Sequence, residues 1–219
     1  MKAVYFTEHG GPEVLQYGDL PEPIPSANEV KIKVRACALN RLDVYTRAGV
    51  RGTKMDLKEP HVLGADVSGE IVEVGSDVTK VSVCDRVVVN PRITCMQCTY
   101  CQSNQSEYCD KAGMVGSGKR GGYAEFAVVP ASSAFPIPTS LSYVQAASLP
   151  TVFMPSWNIL IRRSNLKPWE TALVPSASSG VGTAAIQVAK NVAKSTVITT
   201  TSTPEKANKA SALGADHVI

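Results

Sequence analysis

The sequence predicts two domains of different class: a barrel-like all-β domain carrying a metal lobe, then the beginning of an α/β domain with a doubly wound parallel sheet. Three observations carry this prediction. Up to about residue 130 the chain is a series of short β-branched and aromatic runs broken by Gly and Pro. Four of its six cysteines fall between residues 95 and 109. From residue 171 onward, strand-like and helix-like stretches alternate, with a turn of small residues between the first pair.

The β part follows from its runs in order. "KAVYF" (2–6), "EVKIKVRACAL" (29–39), "SGEIVEVG" (68–75), "DRVVVNP" (85–91) and "GGYAEFAVVP" (121–130) carry the residues of strands. "EHGGPE" (8–13) and "DLPEPIPSANE" (19–29) carry the chemistry of turns. Near residue 140 the character changes. "SLSYVQAASLPTVFMPSWNILIRRS" (140–164) has helical spacing, with interruptions expected at Pro150 and Pro155. The expected division is 1–140 and 141–219, with the lobe at about 91–113 inside the first part. The sequence ends at "DHVI", within an apparent third strand, so an incomplete sheet is expected.

Composition sets the class. Apolar residues make up 44% and charged residues 19%, which suits a buried core, and the formal net charge is only +3. No basic run marks a nucleic-acid surface, and no apolar segment is long enough to span a bilayer. A cytoplasmic location is the expectation, and a reducing compartment weakens a disulfide reading of the cysteines.

The lobe reads Cys95-x2-Cys98-x2-Cys101-x7-Cys109. Thiolates three positions apart on a turning backbone converge on one ion, and a fourth returning later closes a tetrahedron. An iron–sulfur cluster is the nearest competitor, but its bacterial run needs a short last gap followed by proline, and Asp110 follows here. Disulfides or free thiols are the remaining alternatives. Structural zinc, one per chain, is the reading, because four sulfur ligands leave no position for water or substrate. Cys37 and Cys84 sit in apolar runs and are expected to be small buried hydrophobes.

In "PSASSGVGTAAIQVAK", Ala177 to Gly182 occupy the positions of a G-x-G-x-x-G turn. Ser178, Ser179, Gly180, Val181 and Gly182 would cradle a pyrophosphate at the start of the following helix. A GVG turn is also common as plain strand–helix packing, so its position after a strand and before a helix matters. The next strand ends in Thr199, Thr200, Thr201 and Ser202, with Lys206 beyond, and no carboxylate is there to bind a ribose hydroxyl pair. Thr201, Ser202 and Lys206 therefore favour NADP over NAD, although Thr and Ser before Pro204 also suit a plain helix start.

With both halves in view, the chain resembles the medium-chain dehydrogenase/reductase superfamily along its whole length. The matching residues are "PHVLGADVSGEIVEVGSDV", "DRVVVNP", the four-cysteine lobe, "GGYAEF", "SSGVGTAAIQVAK" and "EKANKASALGAD". The resemblance implies a GroES-like β-barrel with a zinc lobe, an incomplete Rossmann domain, and an active site between them. At the family's catalytic-zinc positions stand Asn40, Ala65 and Thr151, none of which offers a thiolate or imidazole. "NRLDVYTRAG" instead resembles the quinone oxidoreductase branch through Asn40, Asp43, Tyr45, Arg47 and Gly49. It implies hydride transfer to a quinone, enone or other carbonyl without a catalytic metal, with Asn40 and Tyr45 polarising substrate and Asp43 organising them. Asn40 and Asp43 could equally serve the loop backbone. Two alternatives stand beside this reading. One is an alcohol dehydrogenase whose reactive zinc survives on His61, Asp43 and Asp66; the other is a truncated, non-enzymatic, zinc-stabilised binding module. Expected partners are a small carbonyl or quinone substrate and further copies of the chain in a homo-oligomer, with no nucleic acid and no membrane. Two departures from the family pattern are Cys84, where Gly is usual, and Pro155, where Thr is common.

Overall fold

A computed structural model describes residues 1–219, which form two compact units, Met1–Pro150 and Thr151–Ile219. The first contains β1 (Lys2–Phe6), β2 (Gln16–Asp19), β3 (Glu29–Ala38), β4 (His61–Val62), β5 (Asp66–Val74) and β6 (Arg86–Val89). It continues with β7 (Arg92–Ile93), β8 (Gly113–Val115), β9 (Gly118–Lys119), β10 (Phe126–Pro130) and β11 (Ala134–Pro136). Its helices are α1 (Arg41–Ala48), α2 (Thr99–Gln102) and α3 (Tyr143–Ala147).

A five-stranded sheet in the order β10-β3-β5-β6-β11 is antiparallel throughout. A second sheet, β2-β1-β4, is also antiparallel. The barrel core is built by period-two alternation: Val30 and Ile32 on β3, Val67 and Ile71 on β5, Val87 and Val89 on β6, and Val129 on β10 are all fully buried. Each such side chain contributes about 1.5–3 kcal/mol of transfer free energy. The expected strand over 121–130 is in fact two pieces. Only Phe126–Pro130 follows β3, while Tyr123 and Glu125 exchange main-chain bonds with β1 (Val4 N–H to Tyr123 O, 2.8 Å; Glu125 N–H to Lys2 O, 3.0 Å). Barrel closure, a long-range demand, overrides the local propensity of that run.

Helix α1 is an element the sequence analysis does not assign. Its start is capped by Asp43, whose Oδ2 accepts the Asn40 N–H at 2.7 Å. Gly49 in the left-handed region (φ 67°) ends it.

The second unit holds α4 from Thr151 onward (Pro150–Trp157 in full), β12 (Thr171–Val174), α5 (Gly180–Val188), β13 (Thr196–Thr199), α6 (Pro204–Ala212) and β14 (His217–Val218). The three strands run parallel in the order β12-β13-β14. Alanines 172, 185, 189, 210 and 215 let helices lie close to the sheet around Val174, Ile186 and Val197. One helix expectation needs correction: Pro150 opens α4, but Pro155 sits inside it, and the helix continues through wider turns to Arg163. A proline costs one main-chain bond, and the wider turns re-partner the carbonyls downstream.

Cys84 also differs from expectation. It is exposed rather than buried and takes φ 74°, donating its N–H to Ile71 O at 2.8 Å. The tight turn before β6 demands a left-handed residue, which explains why glycine suits this position.

Candidate functional site

In the lobe, β7 and β8 pair at the base (Arg92 with Met114, Ile93 with Gly113), and the Arg92 guanidinium donates to Glu107 O at 2.8 Å. Cys98 caps α2, whose turn presents Cys101, and Met96 turns the chain in the left-handed region (φ 58°). The result is convergence: the sulfurs of Cys95, Cys98, Cys101 and Cys109 all lie within 4.8 Å of one another. Cys95 Sγ is 3.9 Å from Cys101 Sγ and 3.6 Å from Cys109 Sγ. A tetrahedral ion with bonds of about 2.3 Å requires sulfurs about 3.8 Å apart, so the quartet fits. Main-chain N–H groups aim at these sulfurs, Cys98 N at Cys95 Sγ (3.3 Å) and Cys95 N at Cys109 Sγ (3.5 Å). The N–H groups of Gln97 and Cys98 hold the Cys95 thiol low, at about 6, the condition of a ready thiolate. Cys101 is pushed up to about 11 by desolvation and its sulfur neighbours, a cost that a shared cation removes.

A second constellation surrounds the N-terminus of α1. Asp43 is buried and fully engaged: Oδ2 accepts from Asn40 N (2.7 Å) and Tyr123 Oη (2.8 Å), and Oδ1 accepts from Gly64 N (3.1 Å). Asn40 Nδ2 donates to Oδ2 of Asp66, itself 1% exposed, at 2.9 Å. Asn40 thus bridges two buried carboxylates, one through its main chain and one through its amide. Burial, then the charge of Asp43, pushes the Tyr123 phenol well above its ordinary range, so it stays a donor. Burial, then Asp43 and Asp66, likewise pushes the Cys37 thiol up and keeps it uncharged. Gly64 takes φ 99°, and a Cβ there would come within 2.6 Å of Tyr123 and 2.8 Å of Cys37 Sγ. Tyr45 does not join this group; its ring lies under the Arg51 guanidinium at 4.6 Å.

The residues of the alternative zinc set do not converge. His61 Nε2 faces Gly116 O at 3.2 Å, Asp43 spends its oxygens on N–H and O–H donors, and the convergent group of His, Cys, Asp or Glu side chains is the cysteine quartet. Tyr123 is the member of the network that the sequence does not single out. It lies inside the quoted stretch "GGYAEF", but nothing local signals that it meets Asp43; Asp66 is named only in the alternative zinc set, and here it accepts from the Asn40 amide instead.

In the second unit, β12 leads into a turn in which Ser176 takes φ 64° and donates its N–H to Thr200 Oγ1 at 3.1 Å. Ser179 caps α5, accepting from Gly182 N at 2.9 Å. A Cβ on Gly182 would lie 2.2 Å from Ser176 O, so only glycine lets the helix start this close to the turn. At the end of β13, Thr199 Oγ1 donates to Val174 O (2.6 Å), and Lys206 Nζ donates to Ser202 Oγ at 3.1 Å. Thr201 Oγ1 is buried without a partner.

Comparison with known proteins identifies the family of the chain. The alcohol dehydrogenase GroES-like domain matches residues 26–139. An NAD-dependent alcohol dehydrogenase of Sulfurisphaera tokodaii is 34% identical over 100% of this chain and 64% of its own length. A quinone oxidoreductase of Mus musculus is 34% identical over 87% of this chain and 49% of its own. The crystal structure of an NAD-dependent alcohol dehydrogenase superposes with a TM-score of 0.95 at 40% identity, covering all of this chain and 63% of that one. This chain therefore spans less than two thirds of those relatives. No helix is long and apolar enough to cross a membrane. From its barrel strands through the cysteine lobe to the parallel sheet, the chain belongs to the alcohol dehydrogenase GroES-like family of the medium-chain dehydrogenase/reductase superfamily.

Proposed function

We propose that the chain is part of an NADPH-dependent reductase that acts on a quinone, enone or related carbonyl without a catalytic metal, and that Cys95, Cys98, Cys101 and Cys109 hold one structural zinc. The observation that carries the reading is Asn40. It stands where zinc-dependent relatives place a metal thiolate, and here its amide is fixed on the buried Asp66. One Nδ2 hydrogen serves Asp66, and the other is free to stabilise a developing oxyanion. Asp43 positions Asn40 through its main chain and is not itself a proton carrier, because both oxygens are spent on donors. Tyr45 stacks on Arg51 and is assigned no place against substrate.

Bound NADPH supplies the hydride. Ser178, Ser179, Gly180, Val181 and Gly182 offer the main-chain N–H groups of the α5 terminus to the pyrophosphate, while Ser202 and Lys206 are assigned the 2′-phosphate, with Thr201 beside them. The relatives named NAD-dependent lean the other way. The absence of a carboxylate among Thr199–Ser202 is what favours the phosphate.

Metal analysis and cofactor titration test the proposal together. The expected result is one zinc per chain and tighter binding of NADPH than NADH, with Lys206→Ala removing most of that preference. Two zinc ions per chain would return the reading to a metal-dependent alcohol dehydrogenase. If neither cofactor at millimolar level shifts tryptophan fluorescence or melting temperature, the zinc-stabilised binding module is the better account.

A further inference from the structure

His9 has no part in the proposed chemistry, yet both of its ring nitrogens are engaged. Nδ1 lies 3.0 Å from Thr46 O and 3.1 Å from Arg47 O, at the last turn of α1. Carbonyls only accept, so Nδ1 carries a proton. In the neutral ring Nε2 is then an acceptor, and the Met55 N–H donates to it at 3.0 Å. One imidazole therefore joins the end of α1 to the segment that follows it. The next residue strengthens the first joint: Gly10 N donates to Arg47 O at 3.1 Å, and Arg47 Nε to Gly10 O at 3.2 Å. Gly49 makes room for the ring, since a Cβ there would stand 2.8 Å from His9 Cγ.

The joint to Met55 depends on one proton. Nε2 also lies 3.1 Å from Met55 O. Once protonated it is a donor, so it opposes the Met55 N–H and turns to the carbonyl beside it. The other hydrogen bonds of residues 51–58 close within residues 50–58: Thr53 N and Oγ1 to Val50 O, and Lys58 N to Asp56 O. The charges around the ring pull both ways. The carbonyl end of α1 favours a cation at Nδ1. Arg47 on the same turn opposes it, and so does His61, which meets the Phe6 ring at 5.6 Å while His9 meets it at 5.8 Å. Glu8 precedes His9 in its own turn, and Lys54 and Asp56 flank Met55, with Asp56 paired to Lys58. We propose that His9 is a proton-operated latch. Neutral, it seats residues 51–58 by accepting the Met55 N–H; protonated, it releases that N–H for the Met55 carbonyl and re-seats the segment behind the helix that begins at Asn40 and Asp43.

Heteronuclear NMR of the full chain between about pH 8 and pH 5.5 reads both states of the latch. At the upper end the His9 ring is expected as the Nδ1–H tautomer. As pH falls, the Met55 amide should shift with the same midpoint as the His9 ring. It should also lose about tenfold in exchange protection beyond the ordinary pH dependence of exchange, the weight of one hydrogen bond. His9→Gln should leave the Met55 amide without this titration, and His61→Gln should keep it. An Nε2–H tautomer at the upper end overturns the proposal. So does a Met55 amide that ignores the His9 midpoint, titrates alike in wild type and His9→Gln, or stops titrating in His61→Gln. Tautomer and midpoint are both read in the wild type, which keeps the test decisive should His9→Gln fail to fold.

Discussion

Asp43→Asn is expected to destabilise the barrel far more than its near-isosteric shape suggests. The carboxylate accepts three hydrogen bonds, from Asn40 N, Tyr123 Oη and Gly64 N, at 2.7, 2.8 and 3.1 Å. Bonds to an ionised group contribute about 1.5–3 kcal/mol each, and a buried donor left without an acceptor costs about 1–3 kcal/mol. An amide keeps one oxygen. Turned toward Asn40 and Tyr123, that oxygen retains two weaker bonds, but the new NH2 then faces the Gly64 N–H. Loss of charge assistance on two bonds, plus one opposed pair of donors, amounts to about 3–5 kcal/mol. For a chain this long that is roughly a 10 °C fall in melting temperature. Tyr123→Phe removes one donor and leaves the carboxylate two, so its cost is about 1–2 kcal/mol. Urea titration of both single variants and the double variant measures the terms. Their coupling should be about 1 kcal/mol or more, because Tyr123 bonds Asp43 directly. A cost below 0.5 kcal/mol for Asp43→Asn, on the scale where surface changes fall, would refute the network as the support of α1.

The other expectations are more local. Cys98→Ser should lose the zinc and the order of residues 91–113, while the second unit keeps its secondary structure; retention of a full zinc equivalent, measured by plasma emission, contradicts the quartet. Cys84→Gly should raise the melting temperature by about 2–4 °C, since a left-handed φ costs a side-chain-bearing residue about 1 kcal/mol, and no rise argues that the turn is unstrained. Burial lowers the pKa of His61 below its ordinary 6.5. The unfolded chain then binds the proton more readily than the folded one, so the contribution of His61 is complete above pH 6.5 and is lost as pH falls below that value. His61→Gln should flatten the stability profile in that window, and an unchanged slope removes His61 as its source.

The parts of this molecule that were legible in the sequence are those fixed by local chemistry. Cysteine spacing announced the lobe because three of its four ligands lie within seven residues, and the order of strand and helix signals announced the parallel sheet. The network around α1 was not legible in the same way. Asn40, Asp43, Gly64, Asp66 and Tyr123 come from separate segments, and Tyr123 reaches Asp43 across 80 positions. Asp43 was visible as a candidate, but the sequence left open whether it acts on substrate or on the backbone, and its three donors favour the latter. The split between β3 and residues 121–125 was hidden for a similar reason. "GGYAEFAVVP" has one uninterrupted strand signal, and only the competition between β1 and β3 for its main chain divides it.

Asn40 joins two buried carboxylates, and one variant tests that role sharply. Two carboxylates, Asp43 and Asp66, are both buried, and a buried carboxylate needs donors. Asn40 supplies both, its N–H to Asp43 and its amide to Asp66. Asn40→Asp preserves shape, exchanges that amide for an acceptor and places a third carboxylate in the cluster. One of the three must then hold a proton in the folded state, which raises a folded-state pKa above its unfolded value. Stability of this variant is expected to be near wild type at low pH and to fall by about 2–4 kcal/mol as pH rises through the raised value. Chemical denaturation at several pH values reads this directly. A pH-independent cost, or none, would mean that the Asn40 amide is not what accommodates Asp43 and Asp66 together, and the assignment of its second N–H to a substrate oxygen would lose its foundation.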